Sequence, residues 1–210
     1  MPLIKQTSIA FYAAILIVFL ASCGNSDTET PENLQPQQEA SVYDLYMDNL
    51  RAECGNAYAG SLTLEPEGDD MLQGDELLIV HFRECDEEGV IKVPFHIETS
   101  EGEWDRSRTW IFTRTEDGID LRHDHREMDG SESDFTMYGG PTHNEPDANV
   151  MEFISFERTE ETGIYRGWRI IIEPGERYVY GTHRGGEWSW RVDFDLTEPV
   201  EAPPAPWGHE

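Results

Sequence analysis

The last third of the chain limits the fold most. Residues 167–196 read GWRIIIEPGERYVYGTHRGGEWSWRVDFDL, three β-rich runs divided by Pro174-Gly175 and Gly185-Gly186. Such pairs supply the preset φ and the left-handed backbone that tight reversals need, so a three-strand meander is expected here. In its last run Trp188, Trp190, Val192 and Phe194 alternate with polar residues, which predicts one shared face. A meander with one apolar face must cover that face with another layer.

Upstream segments repeat the pattern. Residues 77–84 (LLIVHFRE) put Leu78, Val80 and Phe82 on one side, and residues 90–98 (VIKVPFHIE) do the same with Ile91, Val93, Phe95 and Ile97. Pro94 falls on the polar side, which predicts an edge strand or a bulge. In RTWIFTRTEDGIDLRHDHRE the Asp117-Gly118 pair between two β-rich runs signals a hairpin. A shorter strand, DFTMYGG, precedes a Gly- and Pro-rich loop, GGPTHNEPDAN, and residues 149–158 suit either a strand or a short helix. Ser41 can cap one short helix over SVYDLYMDNLRAEC, with Val42, Leu45 and Tyr46 on one side. The expectation is an all-β domain: an antiparallel up-and-down barrel or a sandwich of about nine strands, with one short N-terminal helix.

The N-terminus carries a different message. Residues 9–20, IAFYAAILIVFL, hold no charge but are too few to span a hydrocarbon core, which needs about 20 residues. They suit the apolar region of a signal peptide. Leu20-Ala21-Ser22-Cys23 then resembles the lipobox of bacterial lipoproteins. That resemblance implies cleavage before Cys23, diacylglycerol on its sulfur and acylation of its new amine; two or more acyl chains anchor stably where one does not. Gly24 in place of Asp implies sorting to the outer membrane. The domains read as a signal peptide over 1–22, lipidated Cys23 with a disordered tether to residue 40, the β domain over 41–197, and a Pro-rich disordered tail over 198–210. A flexible 17-residue tether spans about 23 Å.

Charge narrows the partners. The chain carries −28 at pH 7, which repels nucleic acid and anionic head groups. Thirteen of its 15 basic residues are arginines. Abundant acid with scarce lysine reads mainly as a solvated surface in a saline habitat, where the Debye length falls to a few Å at ~0.5 M salt. A metal-binding surface or a basic envelope protein as partner stays open beside it. Cys54 and Cys85 are an even pair in an exported chain and predict a disulfide worth roughly 3–4 kcal/mol.

Chemistry is sparse. There is no G-x-S-x-G, S-x-x-K, H-E-x-x-H or Walker loop. The best candidate is LRHDHRE, because on a strand His123, His125 and Glu127 share the face of Ile119 and Leu121. Two neutral inward imidazoles suit a divalent transition metal. The H-x-H pair resembles the metal motif of cupins, and Glu132 and Gly139 keep that family's glutamate-to-glycine gap. The likeness departs from the motif in the histidine-to-glutamate spacing, and PTHN at 141–144 is no more than suggestive of the later histidine. A ladder of Arg122, Asp124 and Arg126 outside hydrogen-bonded histidines is the plainer reading. His81, His96 and His183 are further candidates to complete a site. EMDGSESD is not an EF-hand loop, since His125 stands where the first Asp must be.

Residues 105–140 are also similar to a segment of exported bacterial proteins of unknown function, a likeness running from about 50 to 197 that assigns no role to any residue. The functional expectation is a non-enzymatic, membrane-anchored envelope lipoprotein, a binding or structural module without a cofactor; a closed barrel would offer its interior to a small apolar ligand. The alternative is a metal-binding protein or metal-dependent enzyme built on His123 and His125.

Overall fold

The computed structural model describes residues 40–66, 72, 74–85, 88–143 and 145–209. The stretch expected to hold the signal peptide, the lipidated Cys23 and the tether, residues 1–39, lies outside them.

Ser41 caps the first helix. Its hydroxyl accepts the Asp44 N–H at 3.2 Å, and the Asp44 carboxylate accepts the Ser41 N–H at 3.3 Å. This reciprocal pair satisfies donors that a helix start leaves open. The helix, α1 (Val42–Arg51), buries Tyr46, Met47 and Leu50. Leu45, expected with the apolar side, is 44% exposed instead. The covered stripe is thus rotated toward Met47 and Leu50 from the expected side of Val42, Leu45 and Tyr46.

Ten strands follow: β1 (Ala57–Leu64), β2 (Leu78–His81), β3 (Val90–Ser100), β4 (Glu103–Thr115), β5 (Gly118–His125), β6 (Tyr138–His143), β7 (Val150–Ile154), β8 (Arg166–Glu173), β9 (Arg177–Arg184) and β10 (Glu187–Asp195). A second helix, α2 (Phe156–Thr162), links β7 to β8. Each strand pairs antiparallel with its sequence neighbours, and β1 pairs with β10, closing an up-and-down barrel. Of barrel and sandwich, the barrel is realised. The strand that closes it, AYAGSLTL, is rich in small residues and carries no strong β pattern.

Three details depart from simple alternation. Register shifts between Trp188 and Trp190, so a bulge at Ser189 turns Trp188 to the outer face, where Arg169 and Arg191 lie over its ring at 5.0 and 5.3 Å. Pro94 sits one residue before a register shift between Phe95 and Ile97; a closed barrel has no edge to house it. Strand β6 starts at Tyr138 and runs into the segment expected as loop, while residues 149–158 hold both a strand and the start of a helix.

Inward positions make one apolar core that includes Tyr58, Phe82, Phe112, Phe153, Tyr178 and Phe194. Outward positions carry ion pairs such as Arg122–Asp120 at 2.6 Å and Arg169–Glu152 at 2.5 Å. That is the reverse of a lipid-spanning barrel, which needs an apolar outer band. Cys54 and Cys85 lie at disulfide distance, with their Cα atoms 6.3 Å apart.

The Pro-rich tail is ordered, contrary to expectation. Val200 N–H reaches the Ala57 carbonyl at 2.8 Å and Trp207 N–H that of Arg106 at 3.1 Å. The Arg106 guanidinium donates to the Ala205 carbonyl and lies over the Trp207 ring at 6.0 Å. His209 Nε2 meets Asp124 at 2.8 Å, and Arg83 holds the His209 carbonyl at 2.7 Å. Prolines cannot join a central strand, but they stiffen a segment that is already extended. Here they dock it on the outer face, burying Pro203 and Pro206.

Candidate binding site

The two barrel ends differ. At one end α1 packs by the hairpin turns: Arg114 beside the β4–β5 turn pairs with Asp44 at 2.7 Å, and Glu53 accepts the Gly175 N–H of the β8–β9 turn at 2.8 Å. At the other end lies a cavity of about 460 Å³, lined from β3, β4, β5, β6, β8, β9, β10 and α2. It falls within the range of small-molecule sites.

Its inner wall is aromatic. Phe95 stacks on Trp110 at 5.2 Å and Trp110 on Tyr180 at 3.9 Å, a column that alternation on three strands points inward. Trp168 and Trp190 face the same space. Trp190 is 7% exposed, and its indole N–H has no protein acceptor among the described residues.

His123 is held within this wall. Nδ1 lies 3.1 Å from the Tyr138 carbonyl, and Nε2 lies 2.6 Å from the Tyr180 hydroxyl. A carbonyl only accepts, so Nδ1 carries the proton and Nε2 accepts the Tyr180 O–H. The ring also stacks on Tyr138 at 4.6 Å. Burial pushes its pKa down to about 3, so it is neutral at physiological pH. His125 borders the same cavity, with Nε2 3.2 Å from the Tyr138 hydroxyl. Burial, then the Arg108 guanidinium, holds it below its ordinary value.

The predicted pair is therefore brought together, without a third ligand. Among the described residues no group of three or more His, Cys, Asp or Glu is placed to hold a metal. Both His123 nitrogens are already engaged, and a metal at Nε2 would have to displace Tyr180. Glu127 is exposed, and Glu132 pairs outside with Arg126 at 3.5 Å. His81, His96 and His183 do not line the cavity, and His143 stacks on Tyr165 at 4.9 Å. In the EMDGSESD loop Asp129 accepts from the Ser131 N–H and hydroxyl at 3.0 and 2.6 Å, closing a local turn.

No known protein family, curated protein or solved structure matches this chain. What the sequence reading passed over is cationic: Arg108, Arg158, Arg166 and Arg184 all line the cavity. The signal lay in parity, because Arg166 precedes inward Trp168 by two residues and Arg184 follows inward Tyr180 by four.

Proposed function

We propose that this chain is a lipid-anchored envelope protein whose barrel is a non-enzymatic binding module for a small ligand with an apolar body. The observation that carries the binding half is the 460 Å³ cavity walled by Phe95, Trp110, Tyr180, Trp168 and Trp190. The rest of the barrel is filled by side chains, so space is left where aromatic surface can cover a guest. The anchor rests on the LASC sequence after an apolar run, and it predicts an intact mass beginning at an acylated Cys23.

Titration with Nile red, a neutral apolar dye, tests the binding half. Saturable one-to-one uptake with energy transfer from tryptophan is expected, lost in Thr182→Trp, which fills the cavity while the variant still melts cooperatively. A folded wild type that takes up no dye refutes the reading. Stoichiometric zinc, iron, manganese or copper in protein purified without added metal, lost in His123→Ala, would replace it with the metal alternative.

A further inference from the structure

The chain has 43 acidic residues and 13 arginines. With acid in such excess, an arginine without a carboxylate is the exception. Among the described residues, nine arginines stand within salt-bridge distance of an Asp or Glu. Arg106 is occupied by the tail. Arg158, Arg166 and Arg184 form no ion pair among the described residues, and all three line the same aromatic cavity.

Their placement is unfavourable without a guest. Arg166 and Arg184 are direct register partners on β8 and β9. Like charges directly opposite on a sheet destabilise it. Glu187, the partner of Arg184 on its other side, forms no ion pair with it. Arg158 lies over Trp168 at 6.0 Å, which holds its charge beside the aromatic wall. Arg108, by contrast, is neutralised by Asp105 at 2.5 Å. Neutral donors border the same space: the Thr182 and Ser189 hydroxyls, 2.9 Å apart, and the unpartnered Trp190 N–H.

We propose that the ligand is an organic anion, its apolar body against Trp110, Trp168 and Tyr180 and its carboxylate or similar oxyanion gripped by Arg158, Arg166 and Arg184. This deepens the binding reading and rests on it. A guanidinium fork matches a carboxylate through two parallel hydrogen bonds, and the anion relieves the repulsion between Arg166 and Arg184. The acidic exterior does not forbid this. At 0.15 M salt, exposed charges more than about 8 Å away are largely screened, whereas the half-buried Arg158 and Arg166 at the cavity, with exposed Arg184 at its rim, act on a bound anion at close range.

The test compares 2-naphthoate with 2-naphthamide, which share a ring body and differ in charge. Calorimetry should find naphthoate at least tenfold tighter. In R166Q/R184Q that ratio should fall to near one with Nile red affinity retained, and the unliganded melting temperature should rise as the like-charge pair is removed. R166K/R184K should keep part of the preference, since charge remains and the fork is lost. A laurate arm separates ligand sources: laurate binding without naphthoate assigns an acyl chain, and the reverse a flat ring. Equal binding of naphthoate and naphthamide to wild type, a preference indifferent to R166Q/R184Q, or no binding of either anion while Nile red binds would each overturn the proposal. Failure of Nile red as well would fell the binding reading beneath it.

Discussion

Consider Cys54→Ser/Cys85→Ser. The link closes a span of 31 residues. In the chain-entropy relation, freeing a loop of that length widens the unfolded ensemble enough to cost about 3.7 kcal/mol. For a chain of this size each kcal/mol shifts the melting temperature by roughly 2–4 °C, so a fall of about 7–15 °C is expected. The native contacts should survive. The joined segments hold each other independently, through Gly55 N–H to the Phe82 carbonyl at 2.7 Å and Phe82 N–H to that of Asn56 at 3.0 Å. The loss should therefore act through the unfolded state, and the urea dependence of unfolding should steepen because that state expands. Calorimetry with paired urea titrations of wild type and double variant measures both quantities. A melting temperature unchanged within 2 °C would refute the reasoning, by showing that the pair is unbonded or that the loop stays restrained after unfolding.

Other expectations follow from single contacts. Tyr180→Phe leaves His123 Nε2 buried without its donor and should cost about 1–3 kcal/mol by urea unfolding. A Cβ at Gly167 would run into the Phe153 carbonyl, backbone that cannot swing aside, so Gly167→Ala should cost more than about 3 kcal/mol or abolish folding. Burial pushes the Asp124 carboxyl up, but hydrogen bonds from Arg126 and His209 outweigh it and hold the group below the usual range. A carboxyl depressed on folding stabilises above its unfolded value, near 3.9, and loses that contribution as pH falls through the lower folded value. Wild type should thus exceed Asp124→Asn by about 1–3 kcal/mol at pH 7, with the gap closing below about pH 4.

Local patterns carried much of this architecture. Alternation placed Ile91, Val93 and Phe95 inward, Asp117-Gly118 and Pro174-Gly175 marked real turns, and Ser41 capped a real helix. These depend on side-chain parity and φ preference, which neighbours in sequence set among themselves. The inward pair His123 and His125 was legible for the same reason. Barrel closure was not, because β1 is made of small residues and gains its meaning only by pairing with β2 and β10. Nor was the bulge that turns Trp188 outward, or the docking of residues 198–209, whose partners Ala57, Arg83, Arg106 and Asp124 are distant in the chain. The arginine cluster falls on the same side of that line. Arg158, Arg166 and Arg184 look ordinary in an acidic sequence; only closing the barrel sets them around one cavity where, among the described residues, no carboxylate pairs with them. Charge balance at a site is a sum over spatial neighbours, and in a ten-stranded barrel most of those neighbours come from other strands.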